Sequence, residues 1–181
     1  IYRGKATAAT PFNARFLNLQ PGSELGLLGI DLARRRRNRI NGKVEEVTVG
    51  AIVVSIEQGF GNCPKYISQR PWNAGLFAGD YQQQLSVKIS PAVADVIARS
   101  DTFFIASSSG EAALGDDIQP TAWGADISHR GGEPGFLQVN GNLLHFADYP
   151  GNNLFNTLGN LQREPRCGLL LLDFNGGEVV Q

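Results

Sequence analysis

The segment from Asp126 to Phe136, DISHRGGEPGF, holds the densest group of reactive side chains in the sequence. Ser128, His129 and Arg130 supply a hydroxyl, an imidazole and a guanidinium near the end of a predicted strand, and two glycines that follow let backbone approach a ligand closely. Arginine suits phosphate because its planar fork donates two parallel hydrogen bonds. The pattern indicates either a phosphate site or a glycine-rich turn with a surface His and Arg. A nucleophile and base pair is not expected, because neighbouring strand residues point to opposite faces.

The segment from Asp148 to Leu161, DYPGNNLFNTLGNL, follows a later predicted strand. Asn152 and Asn153 come after a Pro-Gly turn and directly before a predicted helix over Leu154–Arg163, and asparagine is a favoured N-cap. A helix N-terminus attracts anions because it presents unpaired N–H groups and the positive end of the helix dipole. Arg130 and this helix start together predict a two-sided grip on a phosphate.

The run from Arg34 to Arg39, RRRRNR, is the strongest local concentration of charge. On a strand, alternation sends Arg35, Arg37 and Arg39 to one face and the other two arginines to the opposite face. Three interpretations are open: a solvated or salt-bridged face, a site for a small anion or cofactor phosphate, and a nucleic-acid contact. The net charge of −1 and the lack of an accompanying aromatic platform count against nucleic acid.

Cys63 stands between Asn and Pro in GFGNCPKY. A nucleophilic thiol needs an activating histidine or a helix N-terminus, and neither histidine is near Cys63 in the sequence. We therefore expect a structural cysteine in a tight turn. A thiolate favoured by the nearby cation of Lys65 is the alternative.

Composition narrows the class of protein. No apolar run approaches the ~20 residues of a membrane span, and the opening residues, IYRGKATAATPF, lack the apolar region of a secretory signal. Two Cys and two His are too few for a disulfide framework or a zinc signature. We expect a cytoplasmic globular protein without structural metal, and the net charge of −1 gives no reason to expect nucleic acid or a membrane as partner.

Many short apolar runs, separated by 22 Gly and 9 Pro, favour a β-rich fold. Strands are predicted over Val47–Glu57, Thr102–Ala106, Ala125–His129, Gly135–Val139 and Asn142–Ala147. Asn140-Gly141 predicts a type I′ hairpin turn between the last two strands.

Two helices are predicted. Ser90–Ser100 begins with Ser-Pro and places Val93, Val96 and Ile97 on one face. Leu154–Arg163 places Leu154, Leu158 and Leu161 on one stripe, and Glu164-Pro165 ends this helix.

The chain also contains a repeated segment. NLQPGSELGLLGIDL (Asn18–Leu32) and NLQREPRCGLLLLDF (Asn160–Phe174) are identical at 7 of 15 positions without a gap. Each copy is typical of a helix end, a turn and a buried strand that closes on an aspartate, so two related units are predicted. The alternative is that this common local structure recurs by chance.

Several segments together resemble the split β-barrel of the pyridoxamine 5′-phosphate oxidase-like superfamily. The similarity is closest to its branch of pyridoxamine 5′-phosphate oxidase-related FMN-binding proteins. The matching segments are SHRGGEPGF, DYPGNNLFNTLGNL, PRCGLLLLDF, GLLGIDLARRRRNRINGKV and FGNCPKYI. The resemblance implies a mainly β fold, a six-stranded antiparallel split barrel with a few helices, and a homodimer with FMN at its interface.

The resemblance also implies a set of cofactor-binding residues. These are Ser128, His129, Arg130, Asp148, Tyr149, Asn152 and Asn153. Oxidases of the family usually carry Arg-Lys where this chain has Asn152-Asn153, so oxidation of pyridoxamine phosphate itself is not expected. No catalytic residue is assigned.

The sequence therefore predicts an FMN-dependent oxidoreductase of unknown substrate. A non-catalytic module that binds flavin or haem is the alternative, together with a structural split barrel whose site is degenerate. By the resemblance, residues 1–70 are the closing half of one barrel unit, 71–94 a linker, and 95–181 the opening half of another unit that carries the site. The two halves are expected either to form one composite barrel or to belong to a tandem-barrel protein.

Overall fold

The computed structural model of the chain describes residues 4–6, 18–48, 51–61, 63–71, 73, 82, 84–110 and 124–181. In chain order the elements are β1 (Gly4–Ala6), β2 (Glu24–Asp31), β3 (Arg36–Val47), β4 (Ile52–Phe60), α1 (Pro91–Arg99), β5 (Thr102–Ser108), β6 (Ala125–Gly131), β7 (Leu137–Asn140), β8 (Leu143–Phe146), α2 (Asn156–Arg163), β9 (Cys167–Leu172) and β10 (Val179–Val180). The predicted mainly β class is confirmed.

The strands form two open antiparallel sheets and one hairpin. The first sheet has the order β1-β4-β3-β2, the second has the order β10-β9-β5-β6, and β7 pairs with β8. The closed six-stranded barrel that the resemblance implies is not seen among the described strands. The division at residues 70 and 94 stays a prediction, and part of the proposed linker (residues 72, 74–81 and 83) falls outside the described residues.

One predicted strand proves to be parts of two. The run Val47–Glu57 contains the end of β3 and the beginning of β4. Between these strands Thr48 closes a turn, since its backbone N–H and its hydroxyl both donate to the carbonyl of Ala51. The run is largely apolar and β-branched on both sides of this break, which is why a single strand was predicted.

The core lies on one face of the second sheet. Its fully buried side chains are Ile97, Phe103, Ile105, Leu137 and Leu171, contributed by α1, β5, β7 and β9. The ring of Phe103 packs against Phe136 and Phe146, with centroids 5.8 and 5.0 Å away. This packing fixes β5, the central strand against which β6 and the site residues are aligned.

The predicted hairpin is confirmed, but its turn differs from the prediction. Asn140 pairs with Leu143, so Gly141 and Asn142 are the central turn residues. Gly141 has a φ of 61° and Asn142 does not have a positive φ, which fits a type II′ turn rather than type I′. The side chain of Asn142 bonds Ile89 N–H and the Val87 carbonyl, and these contacts hold it in place.

Helix α1 forms where it was predicted. Ser90 is its N-cap and accepts from the backbone N–H of Val93, and Val96 and Ile97 are buried. Pro91 occupies the first turn, where a missing N–H has no cost.

The repeated segments form similar strands and turns in different sheets, although β2 is not the buried strand that was predicted and the helix expected before the first copy lies outside the described residues. β2 of the first copy and β9 of the second each end near an aspartate that caps the next turn: Asp31 accepts from Arg34 N–H, and Asp173 accepts from Asn175 N–H. An antiparallel strand follows each turn, β3 in one sheet and β10 in the other. The two copies do not share one hydrogen-bonded barrel among the described strands.

The two sheets nevertheless meet closely at their edges. β2 and β6 are the edge strands, and they pack together. A Cβ on Gly26 of β2 would lie 3.0 Å from the backbone nitrogen of Ile127 on β6. Glycine at this position therefore permits the approach that brings β3 within reach of β6 side chains.

Candidate functional site

A cavity of about 480 Å³ lies between β3, β4, β6 and the segment that joins β8 to α2. That size is typical of small-molecule sites, which span roughly 300 to 1,000 Å³. All seven residues predicted to bind a cofactor line this cavity: Ser128, His129, Arg130, Asp148, Tyr149, Asn152 and Asn153. The structure therefore brings together two segments that are separate in the sequence, and their binding role stays a prediction.

The lining of this cavity is strongly basic, and we call it the cationic cavity. Arg37, Arg39, Lys65 and Arg130 contribute to it, whereas Asp148 is the one carboxylate among its described lining residues. Burial lowers the pKa of Arg37 and of Arg39, and the neighbouring charge of Arg130 lowers both further. An anion in the cavity would offset this repulsion.

Arg39 anchors the floor of the cavity. Its Nη1 lies 2.9 Å from Asp126 Oδ1 and donates to Ser128 Oγ at 2.6 Å. The guanidinium also stacks over Phe60, with Cζ 3.9 Å from the ring centroid. These contacts hold Arg39 in place, and its charge stabilises the contact between β3 and β6.

Asp126 is the centre of a buried polar network. Asn41 Nδ2 donates to its Oδ1 at 2.9 Å, and the hydroxyls of Ser128 and Thr157 lie 3.2 and 3.3 Å from its Oδ2. Thr157 is also 3.1 Å from Ser128 Oγ. The Ser128 hydroxyl, which was predicted to bind the cofactor, is thus occupied by contacts within the protein.

Arg37 and His129 contact each other in the lining of the cationic cavity. Arg37 Nη1 lies 3.2 Å from His129 Nδ1, and arginine can only donate, so the proton of the neutral ring is on Nε2. That Nε2 is buried and has no partner among the described residues. Burial lowers the pKa of His129 to about 4, and the charge of Arg37 adds to the effect, so the imidazole is neutral at pH 7.

Arg130 has a local counter-ion. Its Nη1 lies 2.6 Å from Asp148 Oδ1, with 23 % and 36 % of the two side chains exposed. Its Nε is buried without a partner among the described residues. The two predicted site residues, Arg130 and Asp148, therefore contact each other. The Nε of Arg130 takes no part in this ion pair.

The predicted N-cap of α2 is wrong. The helix begins at Asn156, and its cap position is Phe155, which has a left-handed φ of 52° and makes no side-chain cap bond. Asn152 Oδ1 instead accepts from Leu154 N–H at 3.2 Å, and Asn153 has a φ of 58°. Both asparagines form the turn before the helix, because their short amides favour such local bonds and the left-handed region.

This later start also changes the apolar face of α2. Leu154, which was predicted to face the core, lies before the helix and is 56 % exposed. Leu161 packs against the core as predicted. The helix ends at Arg163, immediately before Glu164-Pro165, as predicted.

An aromatic pair closes one side of the cavity. The rings of Tyr66 and Tyr149 lie 5.2 Å apart, and the Tyr66 hydroxyl donates to the carbonyl of Pro150 at 3.1 Å. Tyr66 belongs to the loop after β4, whereas Tyr149 and Pro150 follow β8. The pair therefore links the chain segments that carry Lys65 and Asp148.

The predicted alternation of the arginine run holds only in part. Arg37 and Arg39 line the cavity and Arg36 is exposed, but Arg35 lies in the turn before β3, with a φ of 53°, and donates to the Pro64 carbonyl. The strand begins at Arg36, one residue too late for Arg35 to follow the pattern. The sequence left a small anion as one interpretation of the run and placed none of its arginines in the predicted site, so their binding role stays a prediction.

Cys63 lines the cavity and is half-buried. Its interaction with the guanidinium of Arg37 partly offsets the effect of burial, which lowers the pKa of Arg37. The sequence suggested Lys65 as the neighbouring cation, whereas the structure brings Arg37 to the thiol across the sheet.

These features define a mainly β protein with a basic ligand-sized cavity where two sheets meet. No protein-family model, curated protein or solved structure matches the chain. Neither described helix has the length and apolar character to cross a membrane. Within the described ranges, no group of three or more His, Cys, Asp or Glu could hold a metal ion. The predicted cytoplasmic location stays a prediction.

Proposed function

We propose that this chain binds flavin mononucleotide in the cationic cavity, as a flavoprotein related to the split-barrel family. The observation that supports this most directly is that two segments separate in the sequence meet at one cavity. The two segments that resemble the family's cofactor site, 128–130 and 148–153, line one cavity together with three further cationic side chains, Arg37, Arg39 and Lys65, in a chain whose net charge is −1. A doubly charged phosphate ester complements such a lining.

The donors of the cavity fit this ligand. Buried polar groups are nearly always hydrogen-bonded, yet His129 Nε2 and Arg130 Nε have no partner among the described residues. Both are N–H donors, so they call for a ligand with acceptor atoms, such as phosphate oxygens or the carbonyl oxygens of a flavin ring. Arg37, Lys65 and Arg130 would hold the phosphate, and Arg39 stays with Asp126.

The remaining lining suits the rest of the molecule. Tyr66 and Tyr149 offer aromatic surface for the isoalloxazine ring, and the amides of Asn152 and Asn153 suit ribityl hydroxyls or ring edges. Bound flavin would supply one- or two-electron transfer, and the chain would bind, orient and shield it. We propose an oxidoreductase on this basis, with its electron donor and substrate undefined.

The rim of the cavity supports a homodimer. Tyr66, Tyr149, Leu154 and Phe155 are 39 %, 38 %, 56 % and 57 % exposed, and all four line the cavity. Large apolar side chains grouped around a polar site are typical of interaction surfaces. A second copy of the chain on this rim would cover the flavin and shield it from water.

The test is a titration of the purified protein with FMN, followed by flavin absorbance and fluorescence, with riboflavin as the matched ligand that lacks the phosphate. We expect saturation near one FMN per chain and binding of riboflavin weaker by about tenfold or more, since charged hydrogen bonds contribute about 1.5–3 kcal/mol. Equal affinities would refute the phosphate grip, and absence of FMN binding would refute the proposal.

Reduction of the bound flavin distinguishes an enzyme from a protein that only binds flavin. Bleaching of the bound flavin by NADH or NADPH supports the oxidoreductase, whereas stable yellow protein supports a non-catalytic flavin module. A haem-binding module would leave FMN unbound and give a Soret band with added haemin.

A further inference from the structure

A second cavity of about 360 Å³ lies beside the cationic one, between β3, β4, β6 and α2. Five carboxamide side chains line it: Asn41, Gln58, Asn156, Asn160 and Gln162. We call it the amide cavity. The segment Leu154–Asn156 lines both cavities and forms the wall between them.

The buried end of this cavity contains an acceptor without a donor. Asn41 is 6 % exposed, and its Nδ2 donates to Gln58 Oε1 at 3.1 Å and to Asp126 Oδ1 at 2.9 Å. The carboxylate of Asp126 fixes the orientation of the amide, because it only accepts and the reverse orientation would set oxygen against oxygen. Asn41 Oδ1 is therefore an acceptor, and it has no donor among the described residues. It calls for a donor from a ligand or from water.

The charge of the lining gives no reason to expect a cationic ligand. The charge of Asp126 is neutralised by Arg39, and its carboxylate also accepts hydrogen bonds from Asn41, Ser128 and Thr157. The basic side chain of Arg163 also contributes to the lining, so a cation is not favoured. The N–H groups of Asn41 and Asn160 are bonded within the protein, so what the cavity offers a ligand is the carbonyl oxygens of these two residues and the amides of Asn156 and Gln162.

Hydroxyl groups match such an array, because each one both donates and accepts. A compound with several adjacent hydroxyls can bond neighbouring carboxamides at once, whereas a simple alcohol cannot. From this array and the unpaired acceptor of Asn41 we infer that the amide cavity is a binding site for a neutral polyhydroxyl compound, either a ring sugar or an open-chain polyol. This site is separate from the proposed flavin site.

Gly159 provides a specific way to block the cavity. It lines the amide cavity but not the cationic one, and a Cβ at this position would meet nothing within 4 Å. Gly159→Trp places a large side chain in this open space. Gly159→Ala is the matched control, since it makes the same backbone change with a single methyl group. Both substitutions suit a helix better than glycine, so neither should unfold α2.

The experiment titrates D-glucose and ribitol into the full chain and follows binding by protein-observed NMR. 1,5-Pentanediol, which lacks the internal hydroxyls of ribitol, is the control ligand. We expect saturable binding of at least one polyol to wild type and Gly159→Ala, and binding about tenfold weaker or more in Gly159→Trp, because an overpacked site excludes the ligand. Which probe binds tells a ring sugar from an open-chain polyol.

Two outcomes would overturn this inference. One is the absence of saturable binding of both polyols to the wild-type chain, which would mean that water satisfies Asn41. The other is equal binding by Gly159→Trp, or equal binding of pentanediol. Titration of the same variants with FMN keeps the two proposals apart: FMN binding that is unchanged while polyol binding is lost supports two sites, and failure of FMN to bind leaves the polyol result valid.

Discussion

Arg39 on β3 and Asp126 on β6 form a buried ion pair across the two sheets, with 2.9 Å between Nη1 and Oδ1 and exposed side-chain fractions of 12 % and 2 %. The residues are 87 positions apart in the chain. Because both charges are removed from water, each depends on the other for compensation. The pair lies directly beneath the cationic cavity, so it positions the site as well as joining the sheets.

Replacing Arg39 with methionine should destabilise the fold strongly. The substitution leaves the carboxylate of Asp126 buried without its counter-ion, and breaking such a pair costs about 3–5 kcal/mol. Arg36→Met is the matched control, because Arg36 is exposed on the same strand and its loss should change the free energy of unfolding by less than about 0.5 kcal/mol. Urea denaturation of the three proteins measures both effects. Equal stabilities of the two variants would contradict the role of the ion pair.

The buried imidazole of His129 makes stability depend on pH. Its pKa is about 4 in the folded chain and near 6.5 in the unfolded chain, so the unfolded state binds the proton more readily. The contribution of His129 to the free energy of unfolding therefore does not depend on pH above about 6.5, and it decreases as the pH falls from there toward 4, because the unfolded chain takes up the proton first. The difference corresponds to roughly 3 kcal/mol at most.

His129→Gln should remove this dependence between pH 6.5 and 5, a window that lies above the usual pKa range of carboxylates. The measurement is urea denaturation of both proteins at several pH values, with NMR titration of the imidazole as a direct check. An imidazole that titrates near 6.5 in the folded protein would show that burial of His129 has been misjudged.

Local signals predicted much of the fold. Ser90 and Pro91 located α1 because capping and a fixed φ act within one turn, and glycine between two apolar runs located the β7–β8 hairpin. The repeat likewise identified two strands that end near a turn-capping aspartate, Asp31 and Asp173. Each of these features depends on residues only a few positions apart.

Long-range contacts could not be read in the same way. Nothing near Arg37 or Arg39 in the sequence shows that β6 supplies their partners, since the pairing of the sheet edges decides this. Asn152 and Asn153 fit an N-cap and a turn equally well by type, and the turn formed because Asn152 bonds Leu154 N–H before the helix begins. Most residues of the predicted site were identified by type and position in two short segments, and the resemblance added Asp148 and Tyr149, whereas the basic lining from β3 was not assigned to the site.

Lys65 should contribute to FMN affinity through its charge. It is exposed, it lines the cationic cavity and it forms no ion pair among the described residues. Lys65→Gln should weaken FMN binding by about tenfold at low salt, with a smaller effect at high salt, because screening reduces exposed charge interactions. Riboflavin binding should not change. Lys88→Gln is the control, since it removes the same charge from an exposed position outside the cavity; an equal loss in both variants would show a general rather than a local charge effect.

Gly26 should be the more sensitive of two glycines on β2. A Cβ at Gly26 would lie 3.0 Å from Ile127 N and 3.1 Å from Asp126 C, both backbone atoms that cannot rotate away, so Gly26→Ala must push β2 and β6 apart. We expect a loss of about 1–3 kcal/mol in the free energy of unfolding. A Cβ at Gly29 would meet only the Asn38 carbonyl oxygen at 3.9 Å, so Gly29→Ala should be neutral or should stabilise by about 0.5–1 kcal/mol. Thermal and urea unfolding measure this difference. If both variants are equally stable, the two sheets do not meet at Gly26. The described arrangement of β3 and β6 around the cationic cavity would then be wrong.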